Sequence, residues 1–222
     1  MDSSLTNQDN HPPTGEQPSV KRASYLALAC MAGVVYFAIS VAVLHFLRPE
    51  YDPATRFISE FAVGPYGYLM TIAFFALGLG SLALSFGIAG VSPASRKSRT
   101  GTSLMGLWGA GVMVAGIFPA DLTGSPETTS GSIHNAASIV SFLVLIAGAI
   151  LFPLGMRRDA RWQASRRLLL GLAFAVLAGF LVFIAMQGTA PGIGQRIFIA
   201  LVLLWLLLTG VQLRRTAAVP SA

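Results

Sequence analysis

Apolar and polar positions fall along this chain in long blocks, not in short periods. Six apolar runs, at about 24–46, 66–90, 101–118, 133–154, 168–187 and 194–213, are separated by short polar segments. Crossing ~30 Å of hydrocarbon as an α-helix takes about 20 residues, close to the length of each run. No acid or lysine falls inside a run, and arginine enters only at the start of the sixth. The pattern predicts an all-α membrane protein, a bundle of six transmembrane helices. The first run is too long for a signal-peptide core, and no small-residue cleavage site follows it, so it reads as a retained span. Residues 1–22 read as a disordered tail, too polar to bury a core. Residues 23–213 form the six-span domain and 214–222 a second tail.

One polar stretch carries most of the remaining information. His45 to Tyr68, HFLRPEYDPATRFISEFAVGPYGY, lies between the first two runs and holds two arginines and three acids. Asp52-Pro53 has the form of an N-cap followed by proline at the first helical position. Gly64-Pro65 is a stop signal. A short interfacial helix in the first outer loop follows, with Asp52, Arg56, Ser59 and Glu60 on one face and Phe57, Ile58 and Phe61 on the other.

Composition narrows the class. The 222 residues are 54% hydrophobic and 11% charged, against about 25% charged in soluble domains. The net charge of +6 therefore belongs to membrane topology, and no nucleic-acid partner is expected. Of the fifteen Lys and Arg, twelve lie at 21–22, 96–99, 157–167 and 214–215, and only Arg48, Arg56 and Arg196 lie on the other side. The positive-inside rule then places both termini in the cytoplasm, an N-in/C-in topology. The basic loops set that topology and touch anionic lipid. Arginine in place of lysine, with much alanine and glycine, suggests a bacterial genome and hence a multi-pass protein of the bacterial inner (cell) membrane. Cys30 sits in an apolar run and reads as an inert buried thiol. Gly171, Ala175 and Gly179 make a small-residue packing face on the fifth span. The bulky sixth span is expected to face lipid over much of its surface, with Trp205 too deep for anything but packing. Trp162 suits an interface.

Under this topology four segments bring polar groups to the outer rim. The first loop brings Arg56, Ser59 and Glu60, and the third run ends in Pro119-Ala120-Asp121. The fourth begins Ser132-Ile133-His134-Asn135, and the sixth begins Gln195-Arg196. The candidate ligand-binding residues are therefore Arg56, Ser59, Glu60, Asp121, His134, Asn135, Gln195 and Arg196. Arg196 sits at the positive end of a helix dipole and calls for an anion: Glu60, Asp121, or a bound phosphate or carboxylate. His134 lies in the first turn of the fourth span, where a neutral imidazole can act as ligand, base or hydrogen-bond acceptor, and Ser138 and Ser141 continue its face inward. Its plainer role is a bond to a neighbouring loop. For His45, headgroup contact suffices. Asp121 caps a turn on the plainer reading. Together with Glu60 and His134 it also supplies the ligand types for a divalent metal, without any HxxxH or HExxH spacing. Ser59 with Asp121 and His134 matches the residue types of a serine hydrolase, without a nucleophile elbow.

The first-loop block RPEYDPATRFISEFAVGPYGYLM, the third-run end GIFPAD, His134-Asn135 and Gly192-Ile193-Gly194-Gln195-Arg196 resemble the bacterial domain-of-unknown-function 998 (DUF998) family over about 24–213. The resemblance implies a multi-span integral membrane protein and no assigned activity. Matching the family's polar positions onto this chain selects Ser59, Glu60, Asp121, His134 and Arg196. A fainter likeness to the ceramidase and adiponectin-receptor type of membrane hydrolase, which gathers Ser, Asp and His around zinc, stops at residue types. This chain has six runs, not seven, and no paired histidines in its last one.

Three functions follow in order of support. The first is a binding protein whose outer pocket holds a lipid headgroup or small amphiphile, with Arg196 and three helix N-termini facing an anion. The second is a membrane-embedded metal-dependent hydrolase acting on a lipid, with catalytic candidates Ser59, Glu60, Asp121 and His134 and metal candidates Glu60, Asp121 and His134. The third is a small transporter, weakened by the absence of an internal repeat and by a mid-depth that holds only hydroxyls such as Ser81, Ser85 and Ser141. Membrane lipid is the expected partner, and nothing in the sequence sets the oligomeric state.

Overall fold

The computed structural model describes residues 18–91 and 95–217. Residues 1–17 and 218–222 of the two expected tails lie outside the described residues. Six long helices account for most of the rest: α1 (Pro18–Leu47), α2 (Gly67–Val91), α3 (Arg96–Ile117), α4 (Thr129–Gly155), α5 (Ala160–Ala185) and α6 (Pro191–Ala217). A 3-10 turn at Ile58–Ala62 stands between α1 and α2. All six helices are long and apolar enough to cross a membrane.

The helices outrun the apolar runs that predict them. A helix continues past the hydrocarbon edge until something caps it. Ser95 accepts from Ser98 N–H at 3.2 Å ahead of α3, and Thr128 accepts from Gly131 N–H at 3.0 Å ahead of α4. Asp159 accepts from Arg161 N–H at 3.1 Å ahead of α5. These polar caps lie several residues before the runs begin.

Each helix packs against its neighbours in the chain, and α6 closes the ring against α1. Small residues set the closest seams. A Cβ on Gly109 of α3 would stand 2.6 Å from the Gly78 carbonyl of α2, and one on Gly101 would stand 2.5 Å from Phe152 N of α4. Backbones at that separation exclude any larger side chain. On α5 only part of the expected small face is used: Gly179 packs on α6, while Gly171 faces open space.

The expected lipid-facing helix is a correction. Half of the apolar stretch of α6 is buried (50%), against 22% for α5. Phe198, Trp205 and Leu206 of α6 lie fully inside. Bulky apolar residues suit lipid and protein interior equally, so apolarity does not tell which face a span presents. Trp205 packs as expected and donates to the Leu169 carbonyl at 3.0 Å. Trp162 is buried, edge-on to Phe152 at 5.0 Å.

At the arginine-rich end, short polar ties join the helices. Ser95 donates to the Gly155 carbonyl, Arg161 to Val91 and Gln212 to Arg161. The opposite end carries the first loop.

Candidate binding site

The first loop folds down into the mouth of the bundle. Asp52 closes a turn of its own, accepting from Ala54 N–H at 3.0 Å and from the Thr55 hydroxyl at 3.1 Å. Phe57 then takes an extended conformation (ψ 152), and the chain resumes as the 3-10 turn. The helix expected from Asp52-Pro53 does not form: one turn closes, with Arg56 N–H on the Asp52 carbonyl at 2.9 Å, and Ile58 N–H then donates to the side chain of Gln195, at 2.6 Å, and not to the preceding turn. Asp52 therefore leaves the face it was expected to share with Ser59 and Glu60. Ile58, Ser59, Glu60 and Phe61 are all buried.

Irregular backbone at the mouth of an apolar bundle needs partners for its polar groups. The arginines provide them. Arg48, itself buried, donates to the carbonyls of Val63 (3.0 Å) and Pro65 (2.9 Å), pairs with Glu50 and lies 4.4 Å over the Tyr51 ring. Arg196 donates from one nitrogen to Pro53 (3.0 Å), Arg56 (2.7 Å) and Gly192 (3.0 Å). Its other nitrogens face His45 Nε2 at 3.2 and 3.0 Å. Within the chain the partners of Arg196 are thus carbonyls and an imidazole, and neither Glu60 nor Asp121, the carboxylates weighed for it beside a bound anion, bonds it directly. Partial negative charge converging from several carbonyls meets the same electrostatic need. Gly192 N–H closes the same junction on the Ala54 carbonyl at 2.9 Å. A Cβ on Gly192 would stand 2.5 Å from the carbonyl oxygens of both Pro53 and Arg56, so only glycine fits.

His45, expected from the sequence to make headgroup contact, bonds within the chain. Its Nδ1 lies 2.6 Å from the Val41 carbonyl, which can only accept, so the proton sits on Nδ1 and Nε2 is the acceptor for Arg196. Phe61 packs edge-on to His45 at 5.0 Å and stacks on Tyr51 at 5.3 Å.

Glu60 ties the first loop to the loop before α4. It is 0% exposed. One carboxylate oxygen accepts from Phe57 N–H (3.0 Å) and the Thr123 hydroxyl (2.7 Å), and the other from Thr123 N–H (3.1 Å) and Arg56 (2.9 Å). Arg56 also reaches the Thr123 carbonyl at 3.2 Å. Asp121 stands apart from this cluster. It accepts from Thr128 N–H at 2.9 Å and the Thr128 hydroxyl at 2.7 Å, supporting the cap of α4. Those two bonds, the backbone one first, hold its carboxyl below the usual range.

His134 faces the other way. Its Nδ1 lies 2.9 Å from the carbonyls of Ala115 and Phe118, at the end of α3. These are among the carbonyls that a helix end leaves without partners. Nε2 has no partner among the described residues, and His134 lines a cavity beneath the 3-10 turn. Phe37, Phe74, Trp108 and Phe142 are among its walls. Ser59, Ser138, Ser141 and Gln195 join them. The cavity leaves about 40 Å³ open to the centres of water-sized molecules. No charged residue lines it.

The structure thus divides the eight candidates. Ser59, His134 and Gln195 line the cavity, Arg56 and Glu60 join the loops above it, and Arg196 clamps the loop from α6. Asp121 sits at the α4 cap, and Asn135 is exposed. Among the described residues no three His, Cys, Asp or Glu side chains gather where they could hold a metal ion. Arg48, Thr123 and Thr128, like His45, were not among the candidates.

A family model described as a protein of unknown function (DUF998) matches residues 31–212. No curated protein and no solved structure matches the chain.

Proposed function

The chain belongs to the DUF998 family, and from that premise we propose that it is a bacterial inner-membrane binding protein whose cavity takes the polar end of a lipid or small amphiphile. Both termini lie in the cytoplasm and the first loop lies outside, a reading that rests on the charge asymmetry of the loops. The observation that carries the binding function is His134 Nε2. The residue is 3% exposed, its other ring nitrogen is committed to two carbonyls, and Nε2 has no partner among the described residues. A ring nitrogen with no protein partner, on a residue that lines a cavity, can take a hydrogen bond from whatever enters. A mostly apolar cavity with a few convergent polar groups is the usual form of a small-molecule site. About 40 Å³ accommodates a headgroup of a few atoms, and the apolar walls suit the first carbons of a chain.

The test is lipid identification in the purified protein, wild type beside Ser138→Phe, which fills the cavity from α4. A near-stoichiometric amphiphile in the wild type, lost in the variant at unchanged thermal stability, supports the reading. Equal amounts in both proteins, or none in either, contradict it.

A lipid hydrolase is a second reading, favoured by one observation: Ser59 and His134 line the same cavity. Covalent labelling of Ser59 by a fluorophosphonate, abolished in His134→Asn, would support it. An unlabelled serine would remove it.

A further inference from the structure

We infer that the cavity selects an uncharged head bearing a hydroxyl group, which donates to His134 Nε2; the inference rests on the binding function proposed above. Both neighbours of His134 Nδ1 are carbonyl oxygens, which accept and never donate, so the ring proton occupies Nδ1. Nε2 therefore presents a lone pair to the cavity. No carboxylate lines the walls to balance a second ring proton. Gln195 is fixed by the same logic. Ile58 N–H can only donate, so the oxygen of the amide faces Ile58 and its NH2 is turned away. That NH2 has no partner among the described residues, and Gln195 is a wall of the cavity.

The cavity thus offers an acceptor on one residue, a donor on another, and the hydroxyls of Ser59, Ser138 and Ser141, which do either. A ligand hydroxyl complements both fixed groups at once, donating to His134 and accepting from Gln195. A carboxylate or phosphate has no proton for His134, and its charge would go unbalanced. The three arginines at this end are all committed: Arg48 and Arg196 to loop carbonyls, Arg56 to Glu60 and Thr123. An ammonium head fares no better, because Glu60 already accepts four hydrogen bonds and is not part of the lining. An ether accepts but leaves Nε2 bare. Fatty alcohols and neutral glycerolipids with a free hydroxyl are the class that remains.

Trp108 is a wall of the cavity and reports on its contents. Three medium-chain probes, each brominated on the carbon beside the polar one, are titrated into the full chain in lipid nanodiscs: the alcohol, its methyl ether, and the carboxylic acid in its ionised form. Bromine quenches tryptophan emission on contact, and the Trp108→Phe variant assigns the saturable component to the cavity. The alcohol should quench saturably, with the ether and the carboxylate at least about tenfold weaker, the effect of one buried hydrogen bond left unmade. His134→Asn keeps a donor near the position of Nδ1 and removes Nε2. It should lower alcohol affinity to that of the ether. Equal affinity for the carboxylate or the ether would overturn the selectivity while leaving the binding function standing. No saturable quenching by any probe would overturn both, leaving a cavity that holds water only.

Discussion

Replacing Glu60 by glutamine keeps the shape of the side chain and removes its ability to accept everywhere. The carboxylate now meets four donors, two on each oxygen. A glutamine offers one oxygen and one NH2. With the oxygen toward Thr123 N–H and Arg56, the NH2 confronts Phe57 N–H. With the oxygen toward Phe57, the NH2 confronts Thr123 N–H and Arg56. The Thr123 hydroxyl can rotate to accept, but a backbone N–H cannot. One buried N–H is therefore left without an acceptor in either orientation, at a cost of about 1–3 kcal/mol. The lost charge on the Arg56 pair adds less than about 1 kcal/mol, because Arg56 is 34% exposed and screened by solvent. The expected loss is about 1–4 kcal/mol, a large fraction of the ~5–15 kcal/mol typical of a folded domain. Reversible unfolding in mixed detergent, followed by tryptophan emission, reads it. A variant within about 0.5 kcal/mol of wild type, the range of an ordinary surface substitution, would refute this account of Glu60.

Gly192→Ala should displace the first loop, since its Cβ would meet two backbone oxygens at 2.5 Å that cannot both move aside; limited proteolysis should then cut within 50–57, where the wild type resists. Arg196→Lys should destabilise by about 1–3 kcal/mol in the same unfolding assay, because a single ammonium cannot span the carbonyls of Pro53 and Arg56 while facing His45. Acid should loosen the loops before the helices. Asp121 is depressed by the Thr128 bonds, Asp52 chiefly by the Ala54 N–H and Glu50 chiefly by the Arg48 side chain. Their folded-state values lie below the unfolded ones, so the stability they lend is complete above about pH 4 and is lost as pH falls through the folded values. Asp121→Asn should remove its share of that acid sensitivity, read as hydrogen exchange in 119–131 across an acid titration.

The six spans are legible in the sequence because hydrocarbon thickness imposes a length, and each apolar run meets it. Their ends are less legible, because Ser95, Thr128 and Asp159 fix them and these caps lie outside the runs. That polar groups gather at one end follows from alternation of the spans alone. What each group touches does not follow. Arg196 reads as a cation in need of an anion, since helix polarity is visible in sequence. Its actual partners are carbonyls of Pro53 and Arg56, and a carbonyl has no sequence signature. His45 looks idle because its partner lies 151 residues away. Glu60 and Arg56 meet at the expected spacing of four, yet the residue that completes their cluster, Thr123, stands in an unremarkable polar loop. The exposed α5 and the buried α6 could not be told apart, because both are apolar all round.

The first loop is a plug in the bundle mouth, its backbone held by Arg48 just after α1 and by Gln195 and Arg196 of α6, and its Glu60 tied to Thr123 in the loop before α4. Hydrogen exchange with mass spectrometry on the protein in nanodiscs tests this most directly. Phe57 N–H is held by Glu60, Ile58 N–H by Gln195, and Thr123 N–H by Glu60. Peptides covering 53–63 and 120–125 should exchange far more slowly than an unstructured chain, and Glu60→Gln should release both together. Exchange at unstructured rates in the wild type would mean that the loop lies free at the surface and that the clamps do not hold it.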